Sequence, residues 1–312
     1  MATLAQWVEG ARLRTLPLAA APVAVGTGAA LGELGGLPHL VIGSFDVDTP
    51  PGGASMLEVF SRGLLALILA LGLQIGTNYA NDYSDGVRGT DDERVGPLRL
   101  TASGLAAPET VKRAAFLSFG VAALAGVALV LVSGAWLLLP VGATAVLAAW
   151  YYTGGKRPYG YRGLGEVFVF VYFGLVATAG TTYAQVGTIP LNAWTGAVGV
   201  GLFSCAVLMI NNIRDIATDT VSGKRTLAVR LGQQRARYAY AAMVLVPYVL
   251  LIVPILTGTP AVFLAVLSLA LMVGALQTVL SGEEGHALVP PLKQTGIATL
   301  VYGLLLALGL AL

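Results

Sequence analysis

Charge is what this sequence has least of. Only 11% of its 312 residues are Asp, Glu, Lys or Arg, and 56% are hydrophobic; an ordinary soluble domain carries about a quarter charged residues. One soluble core cannot hide that much apolar surface, which excludes a water-soluble globular enzyme and leaves an all-α polytopic membrane protein. Cysteine occurs once, as Cys205 among apolar neighbours, so no intrachain disulfide can form and the residue reads as packing. Histidine occurs twice, His39 and His286, each isolated in a loop, so a zinc or copper centre lacks its usual nitrogen and sulfur ligands. The net charge of +2 says little about partners.

What is abundant is long apolar runs. Segments of about 20 residues can be placed nine times, near 13–32, 57–82, 110–132, 135–153, 164–186, 193–213, 237–256, 260–280 and 294–312. The first run, Leu16 to Leu31 after Arg12 and Arg14, is slightly long for a signal peptide and is read as a membrane helix. Several runs are rich in Gly and Ala, as membrane helices that pack closely tend to be.

The connections between runs differ sharply in charge. One side carries 17 of the 18 Lys and Arg residues; Arg62 alone falls elsewhere. The positive-inside rule makes that side cytoplasmic, with the N-terminus inside and the C-terminus outside. A different helix count would scramble this partition, so the asymmetry argues for nine spans. The opposite side carries short uncharged turns and one Gly/Pro-rich loop, Gly32 to Met56, with Asp46 and Asp48. The chain reads as one domain, 1–312, with two weakly repeated halves.

The repeat lies in two polar stretches. N-Y-A-N-D-Y-S-D-G ends the second apolar run and places Asn78 four residues before Asp82 and Asn81 four before Asp85. N-N-I-R-D-I-A-T-D ends the sixth run and places Asn211, Asp215 and Asp219 at i, i+4 and i+8. On helices these groups share neighbouring faces. Spans two and six run in the same direction, so facing halves would bring both clusters over one cavity.

Converging acids repel, and a carboxylate within a membrane is costly. Carboxylate and amide oxygens suit a hard cation such as Mg²⁺. Magnesium is usually held by a few carboxylates together with substrate phosphates. The nearby cations Arg88, Arg94, Arg99 and Lys224 would neutralise the remaining phosphate oxygens. A phosphate group bound in an apolar bundle implies a lipid tail, hence a lipid diphosphate at the cytoplasmic mouth. The third stretch, Tyr151 to Glu166, sets Lys156 and Arg157 in a Gly-rich loop with Tyr152, Tyr159 and Tyr161. It is expected to cap the site, its cations on the diphosphate and its rings facing a carbocation.

Together these motifs resemble the UbiA superfamily of membrane prenyltransferases, and within it the branch that prenylates 1,4-dihydroxy-2-naphthoate in menaquinone synthesis. Asn81, Asp82 and Asp85 match an Asn-Asp-x-x-Asp signature; Asp215, Asp219 and Gly223 to Leu227 match the second motif. Gly89 to Gly104, Tyr152 to Gly155 and Gly163 to Glu166 are similar to the menaquinone branch. The pattern departs at Gly89, where many members carry a further acid; Asp91, Asp92 and Glu93 follow, with Asp91 preferred.

The resemblance implies Mg²⁺-dependent prenyl transfer from a polyprenyl diphosphate to a dihydroxynaphthoate-like acceptor, with loss of CO₂ and diphosphate. It implies metal ligands at Asn81, Asp82, Asp85, Asp91, Asn211, Asp215 and Asp219. Asp85, Lys156, Asp215 and Asp219 would be catalytic, and Tyr152, Arg157, Arg88, Arg94, Arg99, Lys156 and Lys224 would face the diphosphate. Arg12 and Arg14 are read as topogenic rather than as acceptor ligands. The place implied is the cytoplasmic membrane, with the active site facing the cytoplasm.

Three other readings compete. Another aromatic acceptor, of the 4-hydroxybenzoate or homogentisate type, fits Tyr152 to Arg157 as well. A CDP-alcohol phosphotransferase would need Asp-Gly-x-x-Ala-Arg, which Val87-Arg88-Gly89-Thr90 does not supply after Asp85-Gly86. An ion-coupled transporter would place its acids near the midplane on broken helices, whereas these acids end apolar runs.

Overall fold

The computed structural model describes residues 2–37, 55–89 and 98–312. The described residues are helical throughout, with no strand. A backbone in lipid must satisfy its own hydrogen bonds, and the helix does so within one segment. Among the described residues seven helices are long and apolar enough to cross a membrane. They are α3 (Met56–Val87), α4 (Pro108–Ser133), α6 (Gly165–Val186), α7 (Leu191–Arg214), α9 (Leu227–Leu256), α10 (Pro260–Leu280) and α11 (Gly285–Ala311). Before them, Leu4–Thr15, which begins with the short helix α1 (Leu4–Gly10), and α2 (Pro17–Glu33) meet at 49° and together make an eighth candidate.

Of the nine expected spans, seven, or eight with the bent pair, are matched among the described residues by helices of that length and apolarity. The segment expected over 135–153 is α5 (Leu138–Tyr151), apolar but only 14 residues long. At 1.5 Å per residue it reaches about 21 Å, short of the roughly 30 Å hydrocarbon layer. Elsewhere the apolar runs have helical counterparts, although α9 and α11 begin about ten residues earlier than expected.

Local chemistry sets several boundaries. Ser55 caps α3: its hydroxyl accepts from the Glu58 amide, and the Glu58 carboxylate accepts from the Ser55 amide. The bend before α2 forms where Arg12 takes a left-handed conformation (φ 55°), a place usually left to glycine, and Pro17 then opens α2. Within α6, Phe170–Val176 widens into a π-helical turn.

Small residues let the helices approach. A Cβ on Gly28 would lie 2.3 Å from the Ala307 carbonyl oxygen, so α2 and α11 touch backbone to backbone there. Polar bonds also cross between helices: Thr182 Oγ1 donates to the Gly26 carbonyl at 2.9 Å, and the Tyr240 and Thr295 hydroxyls pair at 2.8 Å. Helix α7 is the central strut; 72% of its apolar window is buried, against 17% for α3. Leu117, Leu124 and Leu131 of α4 are exposed, an outward stripe suited to lipid.

Candidate active site

The last turns of α3 and α7 meet at one end of the bundle. Asn81, Asp82 and Asp85 are buried there, as are Asp215 and Asp219 at the end of α7 and in the short helix α8 (Ile216–Val221). Asp85 joins the two stretches: its Oδ2 lies 3.9 Å from Lys224 Nζ of the second stretch and 3.8 Å from Arg99 Nη2. Its Oδ1 accepts the Tyr161 hydroxyl at 2.5 Å. The Tyr161 ring in turn lies under Lys224 Nζ, 4.6 Å from its centroid, and near the Arg88 guanidinium at 5.6 Å.

These groups head a cavity of about 560 Å³. Its polar end includes Asn78, Asn81, Asp85, Arg99, Tyr152, Thr153, Asn211, Asn212, Arg214, Asp219 and Lys224; its far end is apolar, with Val23, Ala66, Leu129, Val130 and Leu138. Along one wall stand Tyr152, Tyr159, Phe168, Tyr172 and Phe173. Tyr159 stacks on Phe168 with ring centroids 4.0 Å apart, and the π-helical turn carries Tyr172 and Phe173 into the same wall. Burial pushes the Tyr159 phenol above its ordinary pKa, so it stays protonated and donates to the Ala148 carbonyl at 2.8 Å.

The structure sorts the expected site residues. Asn81, Asp85, Arg99, Tyr152, Asn211, Asp219 and Lys224 line the cavity. Asp82 does not; its carboxylate accepts the Leu100 and Thr101 amides at 2.7 and 2.8 Å. It pins the returning loop to α3, which delivers Arg99 to Asp85. Asp215 is also off the cavity and is gripped by Arg214, whose Nε and Nη2 donate to its two oxygens at 2.7 and 2.8 Å. The same Nη2 donates to Asn211 Oδ1 at 2.9 Å.

Lys156 and Arg157, expected in a cationic cap, are exposed and do not line the cavity. The loop covers the site with Tyr152, Thr153 and Tyr161 instead, because Arg88 donates to the carbonyls of Thr153 and Gly155 and ties it to the end of α3. Arg88 is thus an exposed clamp rather than a cavity residue. Arg94, Asp91, Asp92 and Glu93 lie outside the described residues, as do His39, Asp46 and Asp48.

Sequence reasoning missed several residues. Arg12, Arg14, Arg214 and Lys293, counted above only as topological charges, all line the cavity. Thr153 donates to Asn81 Oδ1 at 2.8 Å. The left-handed turn at Arg12 is the one such conformation at a non-glycine among the described residues, and nothing in local sequence marks it.

Charge and donor type indicate what could bind. Among the described residues six cationic side chains (Arg12, Arg14, Arg99, Arg214, Lys224 and Lys293) face two carboxylates, Asp85 and Asp219. That excess suits a polyanion. Among the described residues no three His, Cys, Asp or Glu side chains gather into a metal cage. The oxygens of Asn81, Asp85, Asn211 and Asp219 instead fit a hard cation whose coordination a phosphate ligand completes.

Comparison with known proteins agrees with this geometry. Residues 51–288 match the UbiA prenyltransferase family. A Mycobacterium tuberculosis protein named 1,4-dihydroxy-2-naphthoate octaprenyltransferase is 47% identical over 311 residues, covering 100% of this chain and 98% of its own. The Escherichia coli protein of the same name is 37% identical over 314 residues, covering 98% and 95%. In structure, a UbiA homologue from Archaeoglobus fulgidus bound to GPP and Mg²⁺ superposes with a TM-score of 0.61 at 13% identity, covering 96% of this chain and 99% of that one. A UbiA homologue from Aeropyrum pernix gives a TM-score of 0.62 at 17% identity, over 94% and 96%. Similarity along the whole chain, and not at the motifs alone, places this multi-pass membrane protein in the UbiA prenyltransferase family.

Proposed function

We propose that this protein transfers a polyprenyl group from polyprenyl diphosphate to 1,4-dihydroxy-2-naphthoate, releasing CO₂ and diphosphate and giving demethylmenaquinol. The observation that carries the reading is Asp85, flanked by Arg99, Lys224 and Tyr161 at the head of an otherwise apolar cavity. A charged head and an apolar tail are thereby offered one continuous site. The full-length relatives named for this acceptor support the choice of ring.

In this reading the prenyl tail lies among Val23, Ala66, Leu129 and Leu138, and the diphosphate faces Arg99, Lys224 and Arg214. Mg²⁺, held by Asp85 and Asp219 with Asn81 and Asn211, would supply Lewis-acid neutralisation of the leaving group; Mg²⁺ in the A. fulgidus homologue supports this. The diphosphate departs with the electron pair of the allylic C–O bond. The aromatic wall shields the electron-poor carbon from water and offers it ring faces. The acceptor ring supplies the pair for the new C–C bond, and its carboxyl group leaves as CO₂. Arg12 or Arg14 would hold that carboxylate beforehand, since both face the cavity. Asp82 and Asp215 act through Arg99 and Arg214 as positioning residues. We further propose nine spans, α5 counted among them, with the site opening to the cytoplasm at the cell membrane.

The test is a panel of acceptors given to the purified protein with a prenyl diphosphate and Mg²⁺, with products identified by mass spectrometry. Prenylated, decarboxylated naphthoquinol and pyrophosphate are expected, and EDTA should stop both. Turnover of 4-hydroxybenzoate or homogentisate in preference to the naphthoate would move the assignment to that branch. Full turnover without divalent metal would overturn the role given to the carboxylates.

A further inference from the structure

Asn212, in the last turn of α7, is buried at 9% exposure and lines the cavity beside Asn211. Its Nδ2 donates to Glu166 Oε1 at 2.9 Å. Glu166 is itself buried at 5%, stands in the first turn of α6, and does not line the cavity. The Cys205 thiol donates to the Glu166 backbone carbonyl at 3.1 Å and docks this turn against α7. Glu166 Oε1 accepts from the NH₂ end of the Asn212 amide, which turns the carbonyl end away. Asn212 Oδ1 makes no hydrogen bond among the described residues and is therefore the end left to the cavity.

A second group on the same stripe is also unpartnered. Ser204, eight residues earlier on α7, is 1% exposed and lines the cavity, and its Oγ is buried without a hydrogen-bond partner. An unsatisfied buried polar atom costs on the order of 1–3 kcal/mol. Such groups are tolerated where a ligand completes them. The apolar prenyl tail brings no hydrogen bonds, and the diphosphate brings acceptors, which a carbonyl oxygen such as Asn212 Oδ1 repels. Oδ1 takes a hydrogen-bond donor or a cation; the cation already has the oxygens of Asn81, Asp85, Asn211 and Asp219, which leaves Oδ1 for a donor.

We propose that Asn212 accepts a hydrogen bond from a ring hydroxyl of the aromatic acceptor, and that Glu166 is the positioning residue that fixes the amide for this task. The inference rests on the aromatic-acceptor reading above and adds a hydroxyl-reading subsite to it. Such a bond orients the ring and leaves more of the hydroxyl's electron density on it.

The experiment is steady-state kinetics with the purified protein, varying dihydroxynaphthoate and prenyl diphosphate separately. Asn212→Ala and Glu166→Ala should each raise the acceptor KM about tenfold, while the prenyl diphosphate KM stays within about twofold. Glu166→Gln, whose amide oxygen still accepts from Asn212 Nδ2, should restore the acceptor KM. As a competitor, 2-naphthoate should bind the wild type more weakly than a hydroxylated naphthoate does, and Asn212→Ala should largely erase that difference. An unchanged acceptor KM in both alanine variants, or equal rises in both KM values, overturns the inference while wild-type turnover stands. Loss of turnover in Glu166→Gln at an unchanged acceptor KM assigns Glu166 to proton transfer and overturns the positioning role. A wild type inert toward every aromatic acceptor sinks the functional reading itself.

Discussion

At the scale of single residues, Asp85 explains why the site is poised rather than closed. Arg99 and Lys224 stand 3.8 and 3.9 Å from its carboxylate, near enough for roughly 4 kcal/mol of attraction each at an effective dielectric of 20. Desolvating three charges offsets much of that. Lys224 is held less closely than Arg214 is by Asp215 at 2.7 Å, so it can turn to an incoming diphosphate. Asp85→Asn should lower kcat by about 100-fold or more with little change in protein abundance, measured by product formation per purified protein. Lys224→Ala and Arg99→Ala should raise the prenyl diphosphate KM about tenfold, whereas Lys156→Ala and Arg157→Ala should shift it less than about threefold. The reverse ranking would restore the cap that composition suggested. Helical spacing put Asn81 and Asp85 on one cavity-facing side of α3, since i+4 fixes a face wherever the helix continues; α7 ends at Arg214, so Asn211 and Asp219 reach the cavity while Asp215 between them does not. Nothing comparable orients Lys156 and Arg157, because a Gly-rich loop leaves side-chain direction to Arg88 and its two carbonyl partners, a contact between residues more than 60 apart.

At the scale of elements, Asp82 does for the loop what a cap does for a helix. Its two short bonds to the Leu100 and Thr101 amides seat the fully buried Leu100 against α3. Asp82→Ala should leave both amides unsatisfied, costing on the order of 1–3 kcal/mol each before relaxation. The expected result is a lower Tm in detergent together with a raised prenyl diphosphate KM, because Arg99 loses its seat. Asp82→Asn, which keeps acceptor oxygen, should fall between. Sequence pattern assigned Asp82 to metal because it shares a helix end with Asp85; which carboxylate faces inward depends on where the distant loop returns. Apolar runs made most of the helices legible, but their lengths were not: α5 stops at 14 residues, and α9 continues N-terminally through a break at Gly232 (φ 73°) that lets it begin at Leu227.

At the scale of the whole molecule, the one native thiol makes orientation measurable. Cys205 is buried at 3% exposure, so a membrane-impermeant maleimide should leave the native protein unlabelled in intact cells. Single cysteines at Gly134 and Leu312 should then label from outside, and ones at Ser222 and Gly282 only after permeabilisation. Labelling of all four from one side would dismiss the proposed topology. The charge asymmetry of the sequence carries that expectation; the Gly- and Ala-rich runs likewise led to an expectation of close packing, but not of Gly28 against Ala307, where two backbones touch.

The brevity of α5 has a bearing on traffic. Its inner face borders the chamber from Leu138 to Ala149, yet the helix covers only about two thirds of a bilayer's oily thickness. A palisade with one low stake needs no floor: a tail too bulky for the room can spill sideways among acyl chains while its head stays docked. An enzyme so built would set no sharp upper limit on prenyl number, and its quinol could depart without ever meeting water.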